Sequence, residues 1–361
     1  QTATFSLLIL LFTSAISIFA QAASFDDKFR QLEEILPTPN SYRTASGAPG
    51  HKYWQQNVNY KINVILDDKK QTLTGSETLH YKNNSPDTLK YLWLQLDQNR
   101  LQKDSQYKKT VTIAANKKMS YEKFRNLIET PDFPGGYQIT KVASDDKALP
   151  YTINGTMMRI DLPKPLASGQ DIEIDINWHY QLHEQKVLGG RSGYEYFKED
   201  DNYLYEIAGW FPRAAAYYDT MGWQNKQFLG TGEFTLPFGD YDVMISVPTD
   251  HIVAATGELV NAKEVLTAQQ LERLEKAKSS EKEPVFIVNE KEAIKNEKGV
   301  KKGLKKWHFK AENVRDFGWA SSRKFIWDAM VVRQESKDVL AMSFYPKEGN
   351  PLWEQYSTKT V

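Results

Sequence analysis

Histidine is the residue type in this chain best able to bind a catalytic metal, and there are only six histidines. His179 and His183 are the one close pair, and on a helix they would share a face and could bind zinc together. The residues around them alternate between apolar and polar, which predicts a strand. Strand residues four apart are separated by about 13 Å, whereas two histidines on one zinc must approach within about 4 Å. We therefore predict that both face solvent from one strand and hold no metal.

Other catalytic motifs are incomplete. His183-Glu184 is followed by Gln185, Lys186 and Val187, so the second histidine of H-E-x-x-H is missing. The glycine clusters match neither a phosphate-binding loop nor a dinucleotide fingerprint, and no G-x-S-x-G nucleophile motif occurs. With no cysteine, the chain has no disulfides, no thiolate metal site and no cysteine nucleophile. The residues alone therefore contain no complete catalytic constellation.

Composition limits the class of protein. The chain has 361 residues, of which 40% are hydrophobic and 25% charged, as in ordinary globular proteins. At roughly 100–200 residues per domain, this length corresponds to about two or three domains. Lys and Arg total 46 and are balanced by 46 Asp and Glu. This neutral balance gives no electrostatic reason to expect a nucleic-acid partner.

The first 22 residues are typical of a secretory signal. An apolar run over 5–20 carries no charge and leads into Ala20-Gln21-Ala22, the small-x-small pattern of a signal-peptidase site. The run is shorter than the ~20 residues of a membrane-spanning helix. We predict residues 1–22 as a signal peptide of an exported, periplasmic or secreted protein, with no stable membrane anchor after cleavage. The basic residues that normally open a signal peptide are missing, which fits a translation start upstream of Gln1.

The remaining elements predict a mostly β fold of packed sheets. Apolar residues at helical spacing indicate a short helix over 25–36, so that 23–55 form a helix and a linker. Strict alternation at period two predicts strands thereafter, the clearest being 60–66, 73–81, 89–96 and 172–182. Thr267 and Gln270 have the spacing of a capping box, which predicts one helix. The Lys- and Glu-rich residues around it, 265–306, are expected to form a charged insertion outside the core with a mobile tail.

Three stretches together resemble the aminopeptidase N family of zinc metallopeptidases, in its exported bacterial branch. They are 60–96, then 209–247 with Trp210-Phe211-Pro212-Arg213, and finally 314–330. The resemblance implies a saddle-like β-sandwich N-terminal domain over 56–327. It further implies that 328–361 are the truncated beginning of an α/β, thermolysin-like catalytic domain.

The family's catalytic domain holds one zinc ion through H-E-x-x-H and a further glutamate, and it removes N-terminal residues from peptides. None of these motifs occurs in the present sequence. The resemblance therefore implies that the catalytic domain lies beyond the end of this chain. It also implies that the fragment by itself binds no zinc and is inactive. The alternative is a non-catalytic β-sandwich module that binds peptide or glycan.

One substrate-binding element of the family is expected within this chain. A glutamine that directly precedes the Trp-Phe-Pro pattern helps to bind the substrate's N-terminal amine, and Gly209 occupies that position here. Glycine has no side-chain carbonyl to accept a hydrogen bond from an ammonium group. Either Glu206 or a later residue takes the role, or amine selectivity is weaker, or Glu206 is an ordinary strand residue. Trp210 and Phe211 are expected in the core or the cleft wall.

Overall fold

The computed structural model of the chain describes residues 39–110, 120, 121, 124, 133–230, 232, 234–299 and 302–361. The predicted signal peptide and the predicted helix over 25–36 lie outside the described residues. The chain divides into two compact units, between Trp54 and Gln55. In the first unit, residues 39–54 form turns closed by an antiparallel bridge between Arg43 and Pro49. The second unit contains every strand and helix named below.

The prediction of a mostly β fold is confirmed. In chain order, strands β1 to β21 are Asn57–Asp67, Thr72–Lys82, Leu89–Gln95, Gln138–Ser144, Lys147–Ala148, Tyr151–Asn154, Met157–Leu166, Asp171–Gln181, Gly193–Phe197, Asn202–Ile207, Arg213–Ala214, Tyr217–Tyr218, Gly222–Trp223, Gly239–Pro248, Ile252–Ala255, Glu258–Leu259, Val285–Val288, Leu304–Val314, Trp319–Ser322, Ile326–Arg333 and Asp338–Tyr345. Helices α1 to α6 are Gln106–Thr110, Gln185–Leu188, Ala262–Val265, Ala268–Ala277, Glu290–Glu297 and Leu352–Thr360. Two 3₁₀ turns cover Asp97–Leu101 and Lys347–Gly349.

The largest sheet has eight strands in the order β16-β18-β14-β1-β2-β8-β4-β5. Strand β2 pairs antiparallel with β1 on one side and with β8 on the other, each over its whole length. Because successive strand residues point to opposite faces, the period-two pattern places one apolar face toward the core and one polar face toward solvent. Ile62, Leu79 and Ile176 are fully buried on the inner face.

Smaller sheets pack around the same core. Two have four strands, in the orders β15-β19-β10-β9 and β11-β3-β7-β6, and one has three, β17-β20-β21. Trp210 lies among aromatic side chains of the large sheet, a smaller sheet and its own loop, with ring centroids 5.8 Å from Trp178, 6.1 Å from Trp319 and 4.9 Å from Phe211. Trp210 and Phe211 are fully buried, which agrees with their expected place in the core.

For the charged segment 265–306, the predicted capping box is confirmed and the predicted mobile tail is wrong. The Thr267 hydroxyl accepts from the Gln270 amide at 3.2 Å, and the Gln270 side chain accepts from the Thr267 amide at 2.9 Å, so the capping box is confirmed. The tail, however, is packed: β17 pairs with β20, and helix α5 buries Ala293 completely. The continuous apolar run of β17 accounts for this, because its four residues cannot remain in water among the lysines and glutamates without cost.

Residues 326–360 form a hairpin followed by a helix. Strands β20 and β21 form an antiparallel hairpin over their whole length, and α6 follows. The hairpin buries Asp328, whose carboxylate accepts hydrogen bonds from Tyr345, at 2.8 Å, and from Thr358 on α6. Residue 328, where the predicted catalytic domain begins, therefore lies inside a strand.

Candidate functional site

Glu206 lies near the end of β10, between β9 and β19, and its side chain is exposed. The Gln185 amide donates to Glu206 Oε2 at 3.2 Å and also donates to the Gly190 carbonyl at 3.0 Å. The carboxylate is thus held from one side by a neutral donor. A carboxylate has about four acceptor sites, so Glu206 keeps the capacity to accept from an ammonium group.

Gly209 lies three residues further on, in surroundings of a different kind. Its φ of +54° belongs to the left-handed region, and a Cβ built there would lie 2.8 Å from Asp97 Oδ2. Its carbonyl accepts from the Gln98 side chain and from the Tyr137 hydroxyl, both at 3.0 Å. A side chain at this position is disfavoured by backbone strain and by contact with the Asp97 carboxylate. Gly209 therefore contributes a fixed backbone turn, whereas Glu206 contributes the charged group.

The turn Asp97–Leu101 holds these segments together and was missed by reading the sequence. All five of its residues are buried. The Gln98 amide donates to the carbonyls of Ala208, at 3.2 Å, and Gly209. Arg100 donates to the Gly189 carbonyl at 3.1 Å. The only signal in the sequence is a run of four polar residues directly after an apolar strand, which is equally typical of an exposed turn.

An ion pair fixes the segment after Gly209. Arg213 is largely buried and binds the carboxylates of Asp97 and Asp316. Burial by itself would lower the pKa of Arg213, but the two carboxylates outweigh this effect and raise that pKa above its usual range. Arg213 therefore stays charged. Its two ion pairs connect β11 with the turn Asp97–Leu101 and with Asp316, which directly precedes Phe317.

His183 corrects the prediction made for the histidine pair. His179 is exposed on β8, as predicted, but β8 ends at Gln181 and His183 is buried, with 2% of its surface exposed. Its Nε2 donates to the Gly189 carbonyl at 3.0 Å. Burial lowers the pKa of His183 to about 4, so the ring is neutral near pH 7. His183 and Arg100 thus converge on one carbonyl and position the loop that carries Gln185.

The described residues contain one group of three potential metal ligands, formed by Asp200, Glu297 and Glu348. The Lys324 ammonium lies 2.9 Å from Glu297 and 2.9 Å from Glu348, and Lys347 lies 2.7 Å from Asp200. A catalytic zinc needs three nitrogen, sulfur or oxygen ligands and an open position for water. Two ammonium groups take up the carboxylate oxygens here and no histidine joins them. The group does not fit a catalytic zinc; it is an ion-pair cluster that joins the β9–β10 turn to α5.

Comparisons with known proteins give structural likenesses only. No protein-family model and no curated protein matches the chain. Among solved structures, a mutant M1 zinc metallopeptidase from Deinococcus radiodurans is 12% identical with a TM-score of 0.43, covering 83% of this chain and 50% of that one. The same mutant bound to a Tyr-Ser-Ala substrate is 12% identical with a TM-score of 0.44, covering 84% and 52%. This chain spans about half the length of those proteins. At this level of likeness, neither a family nor an activity follows for this chain.

Across the parts of the chain that the structure describes, no helix combines the length and the apolar character required to cross a bilayer.

Proposed function

We propose that this chain is the N-terminal part of an exported zinc-dependent aminopeptidase that removes N-terminal residues from peptides. Its zinc-binding H-E-x-x-H domain would lie in residues beyond this sequence, since that motif is absent from it. The three stretches that resemble the aminopeptidase N family support the proposal. The observation that carries it is the exposed carboxylate of Glu206, four residues before Trp210 and thus beside the element expected to bind the substrate's amine.

In this proposal, Glu206 accepts hydrogen bonds from the ammonium group of a peptide's first residue. Charge-assisted hydrogen bonds of this kind are stronger than neutral ones. Gln185 positions the carboxylate from one side through its 3.2 Å hydrogen bond. Gly209 cannot replace Glu206, because its carbonyl is already bound by Gln98 and Tyr137. The zinc ion would be held entirely by the further domain, since the described residues do not fit it.

The test requires the complete protein that the gene encodes. We expect one zinc per chain by metal analysis and chelator-sensitive hydrolysis of aminoacyl-anilides. Glu206→Gln should raise KM about fivefold to tenfold with kcat nearly unchanged, because it removes binding shared by substrate and transition state. Glu173→Gln, an exposed strand carboxylate on another sheet, is the matched control and should change neither constant.

Two results would contradict the proposal. A complete protein without zinc and without turnover would favour the non-catalytic module that binds peptide or glycan. An active enzyme whose KM is the same in the Glu206→Gln and Glu173→Gln variants would remove Glu206 from amine binding while leaving the peptidase intact.

A further inference from the structure

The outer face of the eight-stranded sheet contains a depression of about 340 Å³. Two cross-strand rows of polar side chains line it. Lys61, Thr78 and Asp175 face one another across β1, β2 and β8, and Asn63, Ser76 and Asn177 form the next row. Lys141 on β4 closes one side. Neighbouring strands lie about 4.8 Å apart, so each row is about 10 Å long and is held on a rigid support.

One of the two lysines in the depression has an ion-pair partner among the described residues and the other has none. Asp175 accepts from the Thr78 hydroxyl at 2.8 Å and from the Lys141 ammonium at 3.4 Å. Lys61 is exposed and makes no ion pair with any residue that the structure describes. Its neighbour across β14, Asp242, is already bound by His308 and Lys310. Lys141 also lies 3.9 Å from Asp146, so Lys61 is the one lysine of the lining without an ion-pair partner among the described residues.

The polar groups select among possible anions. The Lys61 ammonium would pair with one negatively charged group of a ligand. Asp175 can still accept hydrogen bonds, so the ligand should also carry hydrogen-bond donors. Asn63, Ser76 and Asn177 can both donate and accept, which matches hydroxyl groups. Sulfate has no donors and would be repelled by Asp175, and phosphate near neutral pH carries only one or two hydroxyl donors, too few for the row and Asp175 together. A neutral sugar would leave Lys61 unpaired.

We propose that this depression binds a sugar acid, meaning a small molecule with one carboxylate and several hydroxyl groups. Its carboxylate binds the Lys61 ammonium, and its hydroxyls bind the Asn63–Ser76–Asn177 row and Asp175. Because the strands fix the backbone, little ordering accompanies binding. The proposal does not depend on the peptidase assignment, since Glu206 lies on a different sheet.

The experiment is a titration of the full chain with glucuronate, glucose and inorganic phosphate at low ionic strength, followed by calorimetry. We expect saturable binding of glucuronate and binding of glucose at least about tenfold weaker. Lys61→Gln removes one charge-assisted hydrogen bond and should weaken glucuronate binding about tenfold. Asp175→Asn should weaken it as well. Lys90→Gln, an exposed lysine on β3 outside the depression, should leave it unchanged.

All three variants are expected to fold, because the substituted side chains are wholly or partly in solvent. Their melting temperatures check this. Phosphate that binds as well as glucuronate, and more tightly after Asp175→Asn, would show a simple anion site and overturn the proposal. Absence of saturable glucuronate binding would overturn it too, as would equal losses in the Lys61→Gln and Lys90→Gln variants.

Discussion

Glu77 gives a sharp test of how the core of this fold is held together. Its side chain points inward from β2, between Ile62 on β1 and Ile176 on β8, and only 2% of the residue's surface is exposed. Neither carboxyl oxygen has a hydrogen-bond partner in the part of the chain that the structure describes. Burial therefore raises the pKa of Glu77 well above its usual value.

The sign of the pH effect follows from proton uptake. Between the unfolded pKa of about 4.3 and the raised pKa of the folded state, the folded protein binds more protons than the unfolded chain. Glu77 therefore makes the free energy of unfolding decrease as the pH rises through that window. At any pH it also leaves a buried polar group without a partner, which costs roughly 1–3 kcal/mol.

We expect Glu77→Met to raise the free energy of unfolding by roughly 1–3 kcal/mol at pH 4, where the pH-dependent contribution is small, and by more near pH 7. Methionine has a similar length and adapts to the space, and no hydrogen bond is lost because none is made. The measurement is urea unfolding at pH 4 to 8, with the m value checked for constancy. Glu173→Met on the exposed face of β8 is the control and should stay within about 0.5 kcal/mol of wild type.

A loss of stability in Glu77→Met would refute this reasoning, because it would show that the carboxyl group makes a stabilising interaction. An unchanged pH dependence in the variant would equally show that Glu77 does not titrate differently in the folded state.

Three further predictions concern the site. Gly209→Ala should lower the free energy of unfolding by about 1–3 kcal/mol through its left-handed φ and its contact with Asp97, measured by urea unfolding. Arg213→Met should cost about 3–5 kcal/mol, because it leaves the buried carboxylate of Asp97 unpaired; an effect below about 1 kcal/mol in the same assay would contradict this. Because burial lowers the pKa of His183 to about 4, its contribution to stability should be lost as the pH falls from about 6.5 to 4, and His183→Gln should flatten the unfolding curve in that window.

Local patterns in the sequence were sufficient for strands β1, β2 and β8 of the large sheet and for the capped helix. The alternation in β1, β2 and β8 has a period of two, and the register confirms which face is buried. The Thr267–Gln270 box is confirmed because a cap involves residues only three apart. Such features are determined by residues only a few positions apart in the chain, so the sequence alone is enough to predict them.

The site depended on contacts between residues distant in the chain. Gln98 and Gly209 are 111 residues apart, and Arg213 and Asp97 are 116 apart. The polar run that begins at Asp97 resembles an exposed turn, and His183 resembles a solvent-facing strand residue, until the partners that bury them are known. A polar side chain can be buried when the fold supplies its hydrogen-bond partner, and that partner is selected by packing across the whole unit. Hydrophobic periodicity therefore predicted the central strands of the sheet, whereas the pairing of polar groups around Gly209 was decided only when the sheets packed together.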